Sequence, residues 1–239
     1  MNAAKTLQSE WENCYETFCQ GEFFRKLANG SLSLAHYKAF LREEYHNTTV
    51  NPKTMAIFFS RLDTQEFKTA AKLLKHTAME VGHNEMALQD LAALGEDIEA
   101  VRRGRALPAT EALAAFVIYE MEHRNPLAFL GYLYHLEAFS ERMAGAGGDL
   151  MTQMGIPESA LSFLREHAEA DLVHAKWNQE YLQAFIQSEE GLEAVLYGLK
   201  GAVLLHGLMF QGIMESVAGT GFFRQREWNS VAPSEPAKG

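Results

Sequence analysis

Apolar residues recur every three to four positions along most of this 239-residue chain, the spacing that lines one face of an α-helix. No run alternates β-branched and polar residues as a half-buried strand would. The pattern therefore predicts an all-α protein. A first helix is expected from Ala3 to Cys19, with a short helical turn from Phe23 to Leu27 and a break at Asn29-Gly30. The next starts after Ser31 or Ser33, is interrupted near Asn51-Pro52, and resumes to about Arg61. Asp63-Thr64-Gln65-Glu66 resembles a capping box that opens a helix running to Leu94, closed by Gly95. A long helix from Glu111 to Ala144, kinked at Pro126, is ended by Gly145-Ala146-Gly147-Gly148. Pro157-Glu158 opens another to Ile186, and Ser188-Glu189-Glu190 caps a last one to Ala218. Short connections among these six or seven helices predict one bundle over residues 1–218, followed by a polar, Pro-containing extension over 219–239.

Two of these helices carry the same spacing of metal-capable side chains: His76-x3-Glu80-x2-His83 and His167-x3-Asp171-x2-His174. A helix turns about 100° per residue, so positions 0, +4 and +7 fall within roughly 60° of one another. Each triplet is thus expected on a single helix face, and together they look like halves of a metal site. Glu137 is a third element. Leu130, Leu133 and Tyr134 precede it on its helix, and a carboxylate on so apolar a face must be paired, protonated or metal-bound. Three or four carboxylates and two or more imidazoles on facing helices are what a dinuclear iron or manganese site in a bundle requires.

Composition narrows the alternatives. Hydrophobic residues make up 47% of the chain and charged residues 22%, ordinary values for a globular protein. The net charge of -10 argues against a nucleic-acid or anionic-membrane partner, since no segment supplies a cluster of cations. The one dense basic run, Arg102, Arg103 and Arg105, is read as a solvated loop between helices. Cys14 and Cys19 are the only cysteines and sit five residues apart on one helix, so no disulfide framework is available and a cytoplasmic location is expected. The apolar stretch Leu192–Val217 carries Glu193, Lys200, His206, Gln211 and Glu215, which marks it as a buried core helix rather than a membrane span. Its glycines, Gly198, Gly201, Gly207 and Gly212, are read as permitting close helix packing, and His206 as a hydrogen-bonded core histidine.

The segment HAEADLVH, residues 167–174, resembles the third core-helix signature of the heme-oxygenase-like di-iron oxidases, also described as iron-containing redox enzymes. That family places a Glu and a downstream His on its first core helix, matched here by Glu80 and His83, and a Glu on its second, matched by Glu137. The resemblance implies a heme-oxygenase-like helical bundle with Glu80, His83, Glu137, His167, Asp171 and His174 as ligands to two non-heme iron ions, manganese being an alternative. It also implies O2 and a small organic substrate as reactants, and a homo-oligomer. It gives His76 no role, so His76 is expected beside the site rather than as a ligand.

The same fold resembles thiaminase II (TenA-like) and the pyrroloquinoline-quinone synthase, which work without a metal. Glu44 and Tyr45 in FLREEYHNT, and Glu215 near the end of the last helix, match the acidic and aromatic groups of that pocket and are the candidate acid–base residues under this alternative. Thiaminase II uses a cysteine on a central helix, where this chain has none. Heme oxygenase requires a proximal histidine near the chain start, whereas the first histidine here is His36, so no heme is expected.

Overall fold

The computed structural model describes residues 3–62 and 66–220, the side chains of 144–146, 167–173 and 175 excepted. The expected tail from 221 onward and most of the Asp63–Gln65 capping segment lie outside the described residues. Among those described, ten α-helices and one 3₁₀ turn account for the structure, and no strand is present. They are α1 (Ala3–Phe18), α2 (Glu22–Ala28), α3 (Leu34–Arg61), α4 (Phe67–Glu80), α5 (His83–Ala93), α6 (Ile98–Arg103), α7 (Pro108–His123), α8 (Ala128–Gln153) and, after the turn Glu158–Ala160, α9 (Ser162–Phe185) and α10 (Glu189–Ala218).

The all-α expectation holds, while the count of six or seven helices is too low. Two long helices expected from periodicity are each divided. The first breaks at Gly82, whose φ of 103° is a left-handed conformation that glycine adopts without cost. The second breaks between His123 and Ala128, because Pro126 lacks an amide hydrogen and Asn125 Oδ1 accepts instead from Leu127 N at 3.0 Å. Two expected stops are, conversely, passed over. Pro52 lies inside α3 without ending it, and α8 continues through the glycine run to Gln153. Packing of α3 on α4, α5 and α7, and of α8 on α9 and α10, outweighs these local costs of a few kcal/mol.

α10 is the central element, touching α8, α7, α1, α3 and α2. It is also the one described helix long and apolar enough to cross a membrane; Leu192, Val195, Leu199, Ala202, Met209 and Ile213 on it are buried in the bundle. α10 and α8 approach closely where Gly198 faces Ala128. A Cβ on Gly198 would stand 1.9 Å from the Ala128 carbonyl oxygen, so that crossing requires glycine.

Two buried acids fix where helices begin. Glu43 Oε2 on α3 accepts from Leu107 N at 2.9 Å and Thr110 Oγ1 at 2.6 Å, satisfying the start of α7. Asp90 on α5 does the same for α9: Oδ1 accepts from Ser162 N and Oγ at 3.0 and 2.6 Å, and Oδ2 from Phe163 N at 2.9 Å. The basic run is not the loop expected: Arg102 and Arg103 end α6, where Arg102 pairs with Glu85, and only Arg105 lies beyond it, paired with Glu111.

Candidate metal centre

Three helices deliver a cluster of imidazoles and carboxylates to one buried point. His76 and Glu80 come from successive turns of α4, Glu137 from α8 and His174 from α9, and one ligand atom from each lies within 4.8 Å of all the others. His76 Nε2 is 3.0 Å from Glu137 Oε1 and 3.7 Å from Glu80 Oε1. His174 Nδ1 is 3.1 Å from Glu137 Oε2 and 3.7 Å from Glu80 Oε1. The two imidazole rings stand 4.0 Å apart, centroid to centroid.

The break at Gly82 shapes this cluster. His83 is the first residue of α5, not a continuation of α4, so the expectation that His76, Glu80 and His83 share one helix face is incorrect. The turn at Gly82 instead folds His83 back on Glu80, placing its Nδ1 3.1 Å from Glu80 Oε2. Of the second triplet, His174 is in the cluster, whereas the side chains of His167 and Asp171 lie outside the described residues. His76 is the reverse of its expectation: fully buried, it is a member of the cluster. Its place four residues before Glu80 was the available signal.

The electrostatics are those of a site poised for cations. Burial alone would raise the Glu137 carboxyl, but the hydrogen bond from His174 and the His76 imidazole beside it hold it well below the usual carboxylate range. His83 is pulled down by burial and then raised above its ordinary value by the hydrogen bond and charge of Glu80. His76 Nε2 is buried and makes no well-formed hydrogen bond, although Glu137 is close, and its Nδ1 faces Tyr181 Oη at 3.5 Å. A buried imidazole nitrogen aimed into a ring of carboxylates, with its other nitrogen held from behind, fits a metal ligand. The donor set is of mixed nitrogen and oxygen type, suited to iron or manganese.

The cluster opens into a cavity of about 100 Å³ lined by Glu80, Glu137 and His174 on one side and by Phe23, Phe40, Phe139 and Phe210 on another. Glu44 also lines it, together with Asn47, Thr48 and Asn51, the residues three, four and seven positions on along α3. Tyr45 is a step of about 100° away on that helix; it is half-buried, packs beside His46, and does not line the cavity. Glu215 follows His206 by nine residues, half a turn out of phase. It accepts a hydrogen bond from Gln211 and borders a surface groove with Glu22 and Arg25 instead. The grouping of Glu44, Tyr45 and Glu215 in one pocket is therefore corrected to Glu44 alone. Cys14 and Cys19 are both on or just after α1, and neither lines the cavity.

Residues 38–207 match the iron-containing redox enzyme family, and the chain belongs to that family. The fold is shared with a domain of unknown function with a heme oxygenase-like fold from Shewanella denitrificans. That structure is 23% identical, with a TM-score of 0.83 over 90% of this chain and 94% of that one. It is also shared with a TenA homolog from Pseudomonas syringae pv. tomato, 13% identical, with a TM-score of 0.72 over 89% of this chain and 93% of that one. No curated protein matches the sequence. The two structural neighbours establish the heme-oxygenase-like fold alone.

Proposed function

We propose that this protein is an O2-activating non-heme iron oxidase or oxygenase acting on a small organic substrate. The observation that carries this reading is the buried convergence of His76, Glu80, Glu137 and His174 within 4.8 Å, in a chain of the iron-containing redox enzyme family. Two ions are assigned, with His83 completing the first side and His167 and Asp171 assigned to the second by their spacing to His174. Iron bound there would supply the electrons that activate O2.

The protein's own groups do the rest. Glu80 and Glu137 neutralise the cations. Tyr181 Oη, behind His76 Nδ1, fixes the ring so that Nε2 faces inward. Asp90 anchors the start of α9 and thereby the helix on which His174 stands. The phenylalanines along the cavity exclude water from the reacting region and accept an apolar substrate.

Anaerobic loading with ferrous iron, followed by metal analysis and O2-uptake measurements, tests the proposal. Two iron ions per chain are expected, with His174→Ala and Glu137→Ala losing most of them and losing O2 uptake. Wild-type protein that retains little iron, and to the same small extent as both variants, would transfer the site to metal-free chemistry of the kind expected for a TenA-like pocket.

A further inference from the structure

The cavity has a second polar end, built from residues that the metal centre does not use. Trp11 Nε1 lies 3.1 Å from His135 Nδ1, and His135 Nε2 lies 3.0 Å from His206 Nδ1. All three side chains are buried. An indole N–H can only donate, so His135 Nδ1 must accept and carry no proton. An imidazole keeps at least one proton, so it is on Nε2 and is donated to His206 Nδ1. His206 Nδ1 must then accept as well, which leaves the His206 proton on Nε2.

The tautomer of His206 is in this way dictated from the far side of α1. Trp11 is itself fixed by stacking on Tyr15 at 4.7 Å and by the Arg142 guanidinium 4.9 Å from its ring centroid. The chain thus makes His206 a donor whose Nε2–H is directed into the cavity.

Among the described residues His206 Nε2 has no hydrogen-bond partner, and Glu44 Oε1 is 3.9 Å away. The other Glu44 oxygen accepts from Asn47 Nδ2 at 3.3 Å, which leaves buried Asn47 Oδ1 unpartnered. One Glu44 oxygen is thus held by a side-chain amide, and the other faces the His206 N–H across 3.9 Å. Glu80 and Glu137 have imidazoles beside them, whereas among the described residues no Lys or Arg lines the cavity to balance Glu44. A buried charge in this position calls for a cation, and the rings of Phe23, Phe40 and Phe210 present aromatic surface suited to one.

From this arrangement we infer that Glu44 and Asn47, with the His206 N–H facing Glu44, form the recognition site for the ammonium group of a small primary amine whose apolar tail fills the phenylalanine-lined cavity. Glu44 Oε1 and Asn47 Oδ1 accept from the ammonium. The locked His206 N–H keeps a donor facing Glu44 and turns only a donor toward the ligand, so nothing but Glu44 and Asn47 competes for the ammonium protons. A carboxylate-headed ligand of equal length would meet Glu44 with like charge and is rejected. This inference names the substrate class for the oxidase proposed above, and it rests on that reading for its place in a reaction but not for the binding itself.

Titration calorimetry on metal-free wild-type protein with n-butylamine and with butanoate tests it. The amine is expected to bind at least tenfold more tightly than the carboxylate. Glu44→Gln is expected to remove that tenfold preference while still taking up iron, which separates this site from the metal centre. Equal binding of the two probes to wild type, no saturable binding of the amine, or amine binding unchanged in Glu44→Gln would overturn it. The tautomer chain has its own readout in imidazole ¹⁵N spectra: His206 is expected as the Nε2–H form in wild type and as a mixture in Trp11→Phe. An Nδ1–H form of His206 in wild type would refute the lock. The wild-type measurements need no variant, so a poorly folding substitution does not shield the inference.

Discussion

Glu43 and Glu44 are adjacent on α3 and equally buried, yet one helix step of about 100° gives them different surroundings. Glu43 turns to the start of α7, where an amide and a hydroxyl satisfy one of its oxygens. Glu44 turns to the cavity, where its partners are a side-chain amide and a distant imidazole. The same division separates Asp90, held by the first backbone amides of α9, from Glu137, held between His76 and His174. A buried acid answered by backbone N–H groups is a fixed part of the scaffold. One answered by imidazoles, or left without a cation, is a group whose proper partner is an ion or a ligand.

The largest expected effect falls on the site acids. Glu137→Ala removes the carboxylate shared by two histidines and is expected to weaken iron binding by at least about 100-fold, measured by competition with a chromogenic chelator. The folded state should survive, because no helix start depends on Glu137.

The scaffold acids invert that outcome. Asp90→Asn is expected to cost about 2–4 kcal/mol in urea unfolding, since both oxygens accept hydrogen bonds and an amide nitrogen must then face Phe163 N–H. Its folded fraction should bind iron normally. If Asp90→Asn lost iron without losing stability, the division between scaffold and site would fail.

Glu43 gives a smaller, pH-dependent effect. Burial, the dominant influence, pushes its carboxyl from about 4.5 up to about 7, against hydrogen bonds from Thr110 and Leu107 that pull it down. Between those values the native protein keeps a proton that the unfolded chain has released, so this contribution to stability is full below about pH 4.5 and lost as pH rises through about 7. Glu43→Gln, which keeps an oxygen for both hydrogen bonds, is expected to flatten the change by roughly 1–3 kcal/mol between about pH 5 and about pH 7.5. Chemical denaturation at the two pH values measures it.

The smallest effect is expected for Tyr181→Phe, which removes the hydroxyl behind His76 Nδ1 and should lower iron affinity by about tenfold. No effect at all would mean that His76 is held by packing against Trp177 and His174 alone.

These contrasts also explain how far the sequence could be read. Helical class follows from periodicity, and Glu80, His83, Glu137 and His174 stand out because metal-capable side chains on apolar faces are costly without a purpose. Pro126 was read as a kink and Gly82 was passed over, yet both divide helices, while Pro52 and the glycine run at 145–148 were read as breaks and break nothing; the difference is tertiary packing, which no local window contains. His76 looked like an accident of spacing until α8 placed Glu137 against it. His135 carries no helical signature at all, because its meaning depends on Trp11, 124 residues earlier, and on His206, 71 residues later. Tyr45 and Glu215 were misplaced by phase along their helices, Tyr45 by the one residue that separates it from Glu44 and Glu215 by the nine that separate it from His206.

His76, Glu80, Glu137 and His174 are proposed as the ligands of a resident metal centre. The most direct measurement is a crystal structure of protein loaded anaerobically with ferrous iron, recorded with anomalous scattering at the iron edge. Anomalous density between Glu80 and Glu137, within bonding distance of His76 and His174, is the predicted result. Density elsewhere, or none in crystals whose solution contains iron in excess, would contradict it.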